Sequence, residues 1–365
     1  HALAIGGVVK GVVEGDGRVS GYFTGATGTT VFRGDAYGED FVNNTFTGDA
    51  GGQLIHRKKI YPDGVSLIGR RPADEQNLEF AASTDTWVRV VNFANAPDGT
   101  LHVCDMYREV IEHPWSIPEE IKQHLDLNNG NDRGRIYRVV PTTTGWHRRA
   151  RVALGSATTA ELVATLAHPN GWHRDTAARL LYERQDKSAA PLLATLIRDS
   201  KSPLAKHHAL GVLDGLGALT EASVLTTLAD PDARLREHAI VYAEKLLARS
   251  PLSPALVAQL SALVNDPDDR VRYQLAFTVQ SSPDLASAYA QLAARDFSDP
   301  WISAALLSAP PAVVNSALFP ALTRDLATAK KSVSRRVAPL PADLTSERRN
   351  GRADSGEKRR NMGVP

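Results

Sequence analysis

Residues 87–114, WVRVVNFANAPDGTLHVCDMYREVIEHP, decide how the chain divides. Val91 and Phe93 lead into Pro97-Asp98-Gly99, where proline presets φ for a turn and glycine tolerates positive φ. Leu101 and Val103 lead out again. The stretch therefore reads as two antiparallel strands around a tight turn, followed at once by a cluster of charges. Downstream of it the chain changes to a helical period.

Working back towards the N-terminus, residues 22–60 alternate short β-branched or aromatic runs with Gly, Asn and Asp turns, the punctuation of β structure. VFRG (31–34) and NNTFTGDAGGQLIHRKKI (43–60) are expected to be strands meeting at the turn around Asp49-Ala50-Gly51-Gly52. GRIYRVV (134–140) makes a last strand. An insertion between Asp105 and Gly134 holds SIPEEIKQHL (116–125), a helix of one or two turns with Pro118 at its start and Glu119 and Glu120 at the positive end of its dipole. Short strands at this spacing suggest a propeller or a sandwich. The strands from 1 to 140 amount to one or two blades, too few to close a ring alone.

From residue 158 the period is helical. Thr158-x-x-Glu161 is a capping box ahead of Leu162, Val163 and Leu166. HPNGWHRDTA (168–177), SPLAKHHAL (202–210), DPDARLREHA (230–239), DPDDRVRYQLA (266–276) and a fainter DPWISAALL (299–307) then recur every 28 to 36 residues. Two helices per unit at such a period is the signature of an α-solenoid. Asp230-Pro231 and Asp266-Pro267 are expected to place a capping acid directly before proline at the first helical position. Arg174, Lys206, Arg236 and Arg272 fall in the first turns of the second helices, and nearby acids (Glu237, Asp268, Asp269) point to pairing between repeats in place of a basic stripe for nucleic acid. The fold class is thus β plus α, multidomain: a partial β-propeller or a sandwich over 1–140, a linker over 141–157, HEAT-like repeats over 158–325 and a basic, disordered tail over 326–365.

Composition excludes several classes. The 365 residues are 42% hydrophobic, enough for real cores, and a formal net charge of +1 gives no overall field for nucleic acid. No run of 18 apolar residues is present to span a membrane. The single cysteine, Cys104, rules out an internal disulfide framework, a cysteine-rich metal site and a C-x-x-C-H haem attachment, and reads as a small hydrophobe in a strand. The chain opens on His1 without a secretory leader pattern, as expected of a mature product or a fragment.

LEFAASTDTWVRVVNFANAPDGTLHVCDMYREVIEHP (78–114), NDRGRIYRVV (131–140) and LAHPNGWHRDTAARLLYERQD (166–186), together with TVFRGDAY and NNTFTGDAGGQLIHR, resemble the planctomycete-type membrane-bound dehydrogenases over roughly residues 20–310. In that family a propeller similar to glucose/sorbosone dehydrogenases precedes HEAT-like repeats and often a cytochrome c domain. The resemblance implies that the two strands are the final blade of a propeller whose earlier blades lie outside this chain. It implies a quinone cofactor, pyrroloquinoline quinone with calcium in the full-length parent, although cofactor identity stays open. It places Arg89 at the channel mouth, with Asp105 and Arg108 completing a cofactor-binding constellation. Arg89 reads equally well as an ion-pair partner of Asp85 or Asp105 that ties blades together. No catalytic base is legible, and His56 and His102 read as structural. The resemblance also implies an extracytoplasmic, periplasmic or membrane-associated location.

Two functions follow. One is part of a quinoprotein-like dehydrogenase for sugars or polyols, inactive alone. The other is a scaffold that binds a protein partner on the solenoid.

Overall fold

A computed structural model of the chain describes residue 23, residues 25–320 except 112, 143, 144, 148–151, 250 and 252, and residue 323. The expected basic tail and residues 143, 144 and 148–151 of the expected linker lie outside the described residues.

Strands β1 (Ala26–Val31), β2 (Thr45–Asp49), β3 (Leu54–Asp63) and β4 (Ser66–Arg70) form an antiparallel meander, with short β5 (Ala81–Ala82) also on β3. A second antiparallel sheet holds β6 (Val90–Asn95), β7 (Leu101–Asp105) and β8 (Arg135–Val139). The described strands do not close a ring. The turn over Asp49–Gln53 and the hairpin at Pro97-Asp98-Gly99 match the sequence reading, but VFRG departs from it. The strand ends at Val31, because Phe32 turns inward and its amide donates to Asn44 O at 2.8 Å. The β3–β4 hairpin was not anticipated, although Pro62-Asp63-Gly64 repeats the tripeptide of the later turn.

The two sheets enclose one apolar core of Phe32, Phe46, Val90, Phe93, Leu101 and Val103, with Phe32 stacked on Tyr37 at 4.6 Å. Burial of side chains this size stabilises by roughly 1.5–3 kcal/mol each. Thr27 Oγ1 donates to Val90 O at 2.7 Å and Asn95 Nδ2 to Val31 O at 3.0 Å, stitching sheet to sheet. Tyr37 locks the third strand in place: its hydroxyl accepts from Leu101 N and donates to Val139 O, both at 2.7 Å. Burial pushes that hydroxyl's pKa up to about 12.

After the short α1 (Glu119–Lys122) of the insertion, the helical region runs in pairs: α2 (Thr159–Thr165) with α3 (Gly171–Arg184), α4 (Ala189–Asp199) with α5 (Pro203–Gly215), α6 (Glu221–Leu228) with α7 (Ala233–Leu247), α8 (Pro254–Ala262) with α9 (Asp269–Thr278), and α10 (Ala286–Asp296) with α11 (Pro300–Leu307). The short α12 (Pro311–Val313) follows. One continuous apolar core runs from Leu162 to Leu318. The capping box forms, with Thr158 N donating to Glu161 Oε2 at 2.7 Å.

The caps of α7 and α9 correct the sequence reading. Each helix starts two residues later than expected, and its N-cap is Asp232 or Asp268. Asp230 and Asp266 stay in the preceding turn, where their Oδ1 atoms accept the N-cap residue's own N–H at 2.9 Å. The intervening prolines belong to that turn. The fainter fifth unit does follow the expected pattern, with Asp299 as N-cap and Pro300 at the first helical position.

Candidate functional site

Arg89, Asp105 and Arg108 sit together where β6 and β7 open out. Asp105 Oδ1 accepts from the backbone amides of Arg89 (2.7 Å) and Tyr107 (2.8 Å), and its Oδ2 accepts from Tyr137 OH at 3.2 Å. The Arg89 side chain is fully buried. It donates to Arg108 O at 2.9 Å, Ala50 O at 3.0 Å and Glu109 O at 2.7 Å. That fork therefore ties the β2–β3 turn to the chain leaving β7. Arg108 points elsewhere and donates to Asn128 O at 2.7 Å, holding the insertion. Asp85, the other expected partner of Arg89, accepts from Tyr107 OH at 2.8 Å. The three predicted residues are thus neighbours, joined through backbone groups as a brace around the β7 exit.

The expected structural histidines have partners. His56 Nδ1 lies 2.7 Å from Glu79 Oε2, and His102 Nε2 accepts from Arg138 Nε at 3.3 Å. Cys104 is half-buried on β7. No cluster of His, Cys, Asp or Glu suited to a metal ion occurs among the described residues.

A second polar assembly joins the β lobe to the first helical pair. Asn170, the N-cap of α3, accepts Trp172 N at 2.9 Å with Oδ1 while its Nδ2 donates to Ala96 O at 2.9 Å and Pro97 O at 3.2 Å. His173 Nε2 lies 2.8 Å from Pro97 O, and Gly171 N donates to Arg33 O at 2.7 Å. The Arg33 guanidinium grips Asp175 at 2.7 and 2.8 Å. The line continues along the second helices: His208 Nε2 is 3.7 Å from Asp175 Oδ1, and the rings of His207 and His238 are 4.2 Å apart. Burial pushes His207 and His208 down to about 4; neighbouring positive charge reinforces the shift, and Asp175 partly opposes it at His208.

Sequence reasoning missed this assembly. Its legible trace was the spacing of His207 and His238, 31 residues apart and so at the repeat interval. The contact of Asn170 with a turn more than 70 residues earlier has no local signal.

Between repeats, Lys206 Nζ donates to Asp230 Oδ2 at 2.7 Å, Arg236 holds Asp266 through Nε and Nη2 at 2.7 and 2.8 Å, and Arg272 Nε donates to Asp296 Oδ2 at 2.8 Å. Pairing across repeats was expected and is present; of the acids named from sequence, Asp268 pairs back to Arg234 and Glu237 forward to Arg270, Asp269 pairs with Arg272 inside its own helix, and Arg236 takes Asp266 of the next unit's turn. Glu237 bonds Arg270 at 3.1 Å and Glu244 bonds Gln274 at 3.1 Å, adding a second row between α7 and α9.

This periodic pairing of stacked helix hairpins agrees with a family model described as HEAT repeats, which matches residues 159–245. The helical region carries HEAT repeats. A model described as a domain of unknown function (DUF7133) matches residues 7–143, over the β lobe. No curated protein and no solved structure matches the chain. Among the described residues no single helix is long and apolar enough to cross a membrane, although α11 with the segment Pro311–Leu318 forms one bent apolar pair.

Proposed function

We propose that this protein is a scaffold that binds a protein partner on its HEAT repeats, with the β lobe fixed to the first repeat as a docking platform. The observation that carries the reading is the stapling of each second helix to the repeat that follows it by Lys206–Asp230, Arg236–Asp266 and Arg272–Asp296. Such pairs hold a repeat surface in one arrangement before a partner arrives, which lowers the ordering cost of association. Tyr182, Leu204 and Trp301 are exposed on that region and supply apolar anchors. A partner found by proximity labelling of the native protein, then purified, tests the reading. Its affinity is expected to fall at least about tenfold when Tyr182, Leu204 or Trp301 is changed to Asp, and to be untouched by Leu67→Asp on β4. Binding insensitive to every solenoid change would overturn it.

The dehydrogenase reading rests on the resemblance of the segments around 78–114 and 131–140, and with it go an extracytoplasmic location and a sugar or polyol substrate. The four-stranded β1–β4 meander favours it, being the kind of unit from which propeller blades are built. Arg89 fits a channel-mouth role poorly, because its fork already faces carbonyl oxygens. Reduction of an artificial electron acceptor by a panel of sugars, measured on the full-length parent with pyrroloquinoline quinone and calcium present and absent, separates the two readings.

A further inference from the structure

The pairing between repeats has one rung in which the acid is replaced, and we propose that this rung binds a small oxyanion. Four turns leading into second helices share one design: His168, Ser200, Asp230 and Asp266 each accept the N–H of the N-cap residue two positions on, at 3.0, 3.1, 2.9 and 2.9 Å. Three arginines at the fourth position of a second helix also share a design. Arg174, Arg236 and Arg272 each turn Nη1 back onto carbonyls of their own turn: His168 O and Pro169 O for the first, Asp230 O and Pro231 O for the second, Asp266 O for the third. In Arg236 and Arg272 the Nε then donates forward to an aspartate of the following repeat. Lys206 does the same with its single ammonium.

Arg174 breaks the series. The residue following it in register is Ser200, whose hydroxyl keeps the turn but lacks the second oxygen that Asp230 and Asp266 send back to the preceding base. Arg174 is 4% exposed, and its Nε has no hydrogen-bond partner among the described residues. It is the same atom that finds a carboxylate in the two later arginines. Arg33 lies close enough to oppose the charge of Arg174, while Asp175 is already gripped by Arg33, and Asp35 lies within electrostatic reach. A buried guanidinium N–H left without an acceptor is costly, and a planar fork suits a carboxylate or phosphate oxygen. Ser200 is half-buried, so the place of the absent carboxylate lies near the surface.

The chemistry is that of a carboxylate-sized oxyanion, either an organic carboxylate or a tetrahedral phosphate or sulfate. Thermal melts of the full chain in chloride, acetate, phosphate and sulfate at matched ionic strength test it. The expected result is a rise of about 2–4 °C in at least one oxyanion over chloride. A rise in acetate assigns a carboxylate, and one in phosphate or sulfate a tetrahedral anion. Ser200→Asp, which rebuilds the rung on the pattern of Asp230, is expected to melt above wild type in chloride and to lose the anion response. No rise in wild type, or an equal rise in Ser200→Asp, would overturn the proposal. Should Ser200→Asp fail to fold, Arg174→Lys reports instead, since lysine is native at the equivalent position 206. Titration with whichever anion gave the rise is expected to weaken by at least about fivefold in this variant, and an unchanged affinity would overturn the site.

Discussion

Asn170 Nδ2 donates to Ala96 O at 2.9 Å across a sequence separation of 74 residues, so one amide side chain caps a helix and holds a β-turn at the same time. The residue is fully buried. Asn170→Ala loses both roles and is expected to cost about 2–4 kcal/mol in urea unfolding. Asn170→Asp is the sharper test. It keeps the cap, which in an isolated helix would be neutral, but sets a carboxylate against the carbonyls of Ala96 and Pro97. It is expected to destabilise at least as much as alanine, and a neutral result would show that the junction contributes little.

The Arg236–Asp266 pair has both partners largely withdrawn from solvent, with side chains 12% and 3% exposed. Removing one member leaves the other charged and buried, so Arg236→Ala and Asp266→Ala are each expected to cost about 3–5 kcal/mol. The double variant should cost much less than the sum of the two. Additive losses in that double-mutant cycle would mean that the two residues act independently.

Gly99 and Gly38 have nearly the same positive φ, 86° and 84°, but different surroundings. A Cβ on Gly99 would meet Asp35 Oδ1 at 2.2 Å, whereas one on Gly38 would meet nothing within 4 Å. Gly38→Ala therefore carries backbone strain alone, roughly 1 kcal/mol. Gly99→Ala adds displacement of the Asp35 carboxylate and a tight contact with Ala36 N at 3.2 Å, beside the turn on which Asn170 and His173 close, and its denaturation midpoint should fall below that of Gly38→Ala. Equal midpoints would refute the steric part.

The two histidines held near 4 set a pH dependence. Their folded values lie below the ordinary 6.5, so the folded state binds fewer protons than the unfolded chain. The stability they contribute is complete above pH 6.5 and is lost as pH falls from 6.5 towards 4. At about 1.4 kcal/mol per unit the limit is on the order of 3 kcal/mol for each, reduced by solvent at their accessible edges and by their mutual coupling. Urea midpoints should drop over that window in wild type and flatten in the His207→Gln, His208→Gln double variant. An unchanged slope would place the acid sensitivity elsewhere.

The helical half was the more legible because its information is local and repeated. Thr158-x-x-Glu161 announces a helix start with atoms only three residues apart, and each DP turn restates the same message. The two-residue error at Asp230 and Asp266 arose because an aspartate before proline can cap a helix or fold the turn ahead of it. In Asp-Pro-Asp the second aspartate takes the cap, at Asp232 and Asp268, whereas Asp299 is followed by Pro300-Trp301 and caps its own helix. Residues 62–64 show a signal present but unread, the same Pro-Asp-Gly that marked the hairpin at 97–99. Arg89 stands out in the sequence as a candidate cofactor or ion-pair residue, yet its direction depends on carbonyls at Ala50, Arg108 and Glu109 that no pattern in sequence brings together. Asn170, His173 and Arg33 were invisible for the same reason.

The staples between repeats have a polarity. Each of the central units offers a base to the unit after it and an acid to the unit before it, a lysine at one joint and an arginine at the next. A whole unit copied or deleted between α5 and α9 would leave complementary ends facing each other, with no new recognition to evolve. Gene duplication could thus lengthen or shorten this stack at little chemical risk. The first joint, where serine stands for aspartate and the neighbour is a β-turn, is the place where such a copy would not fit.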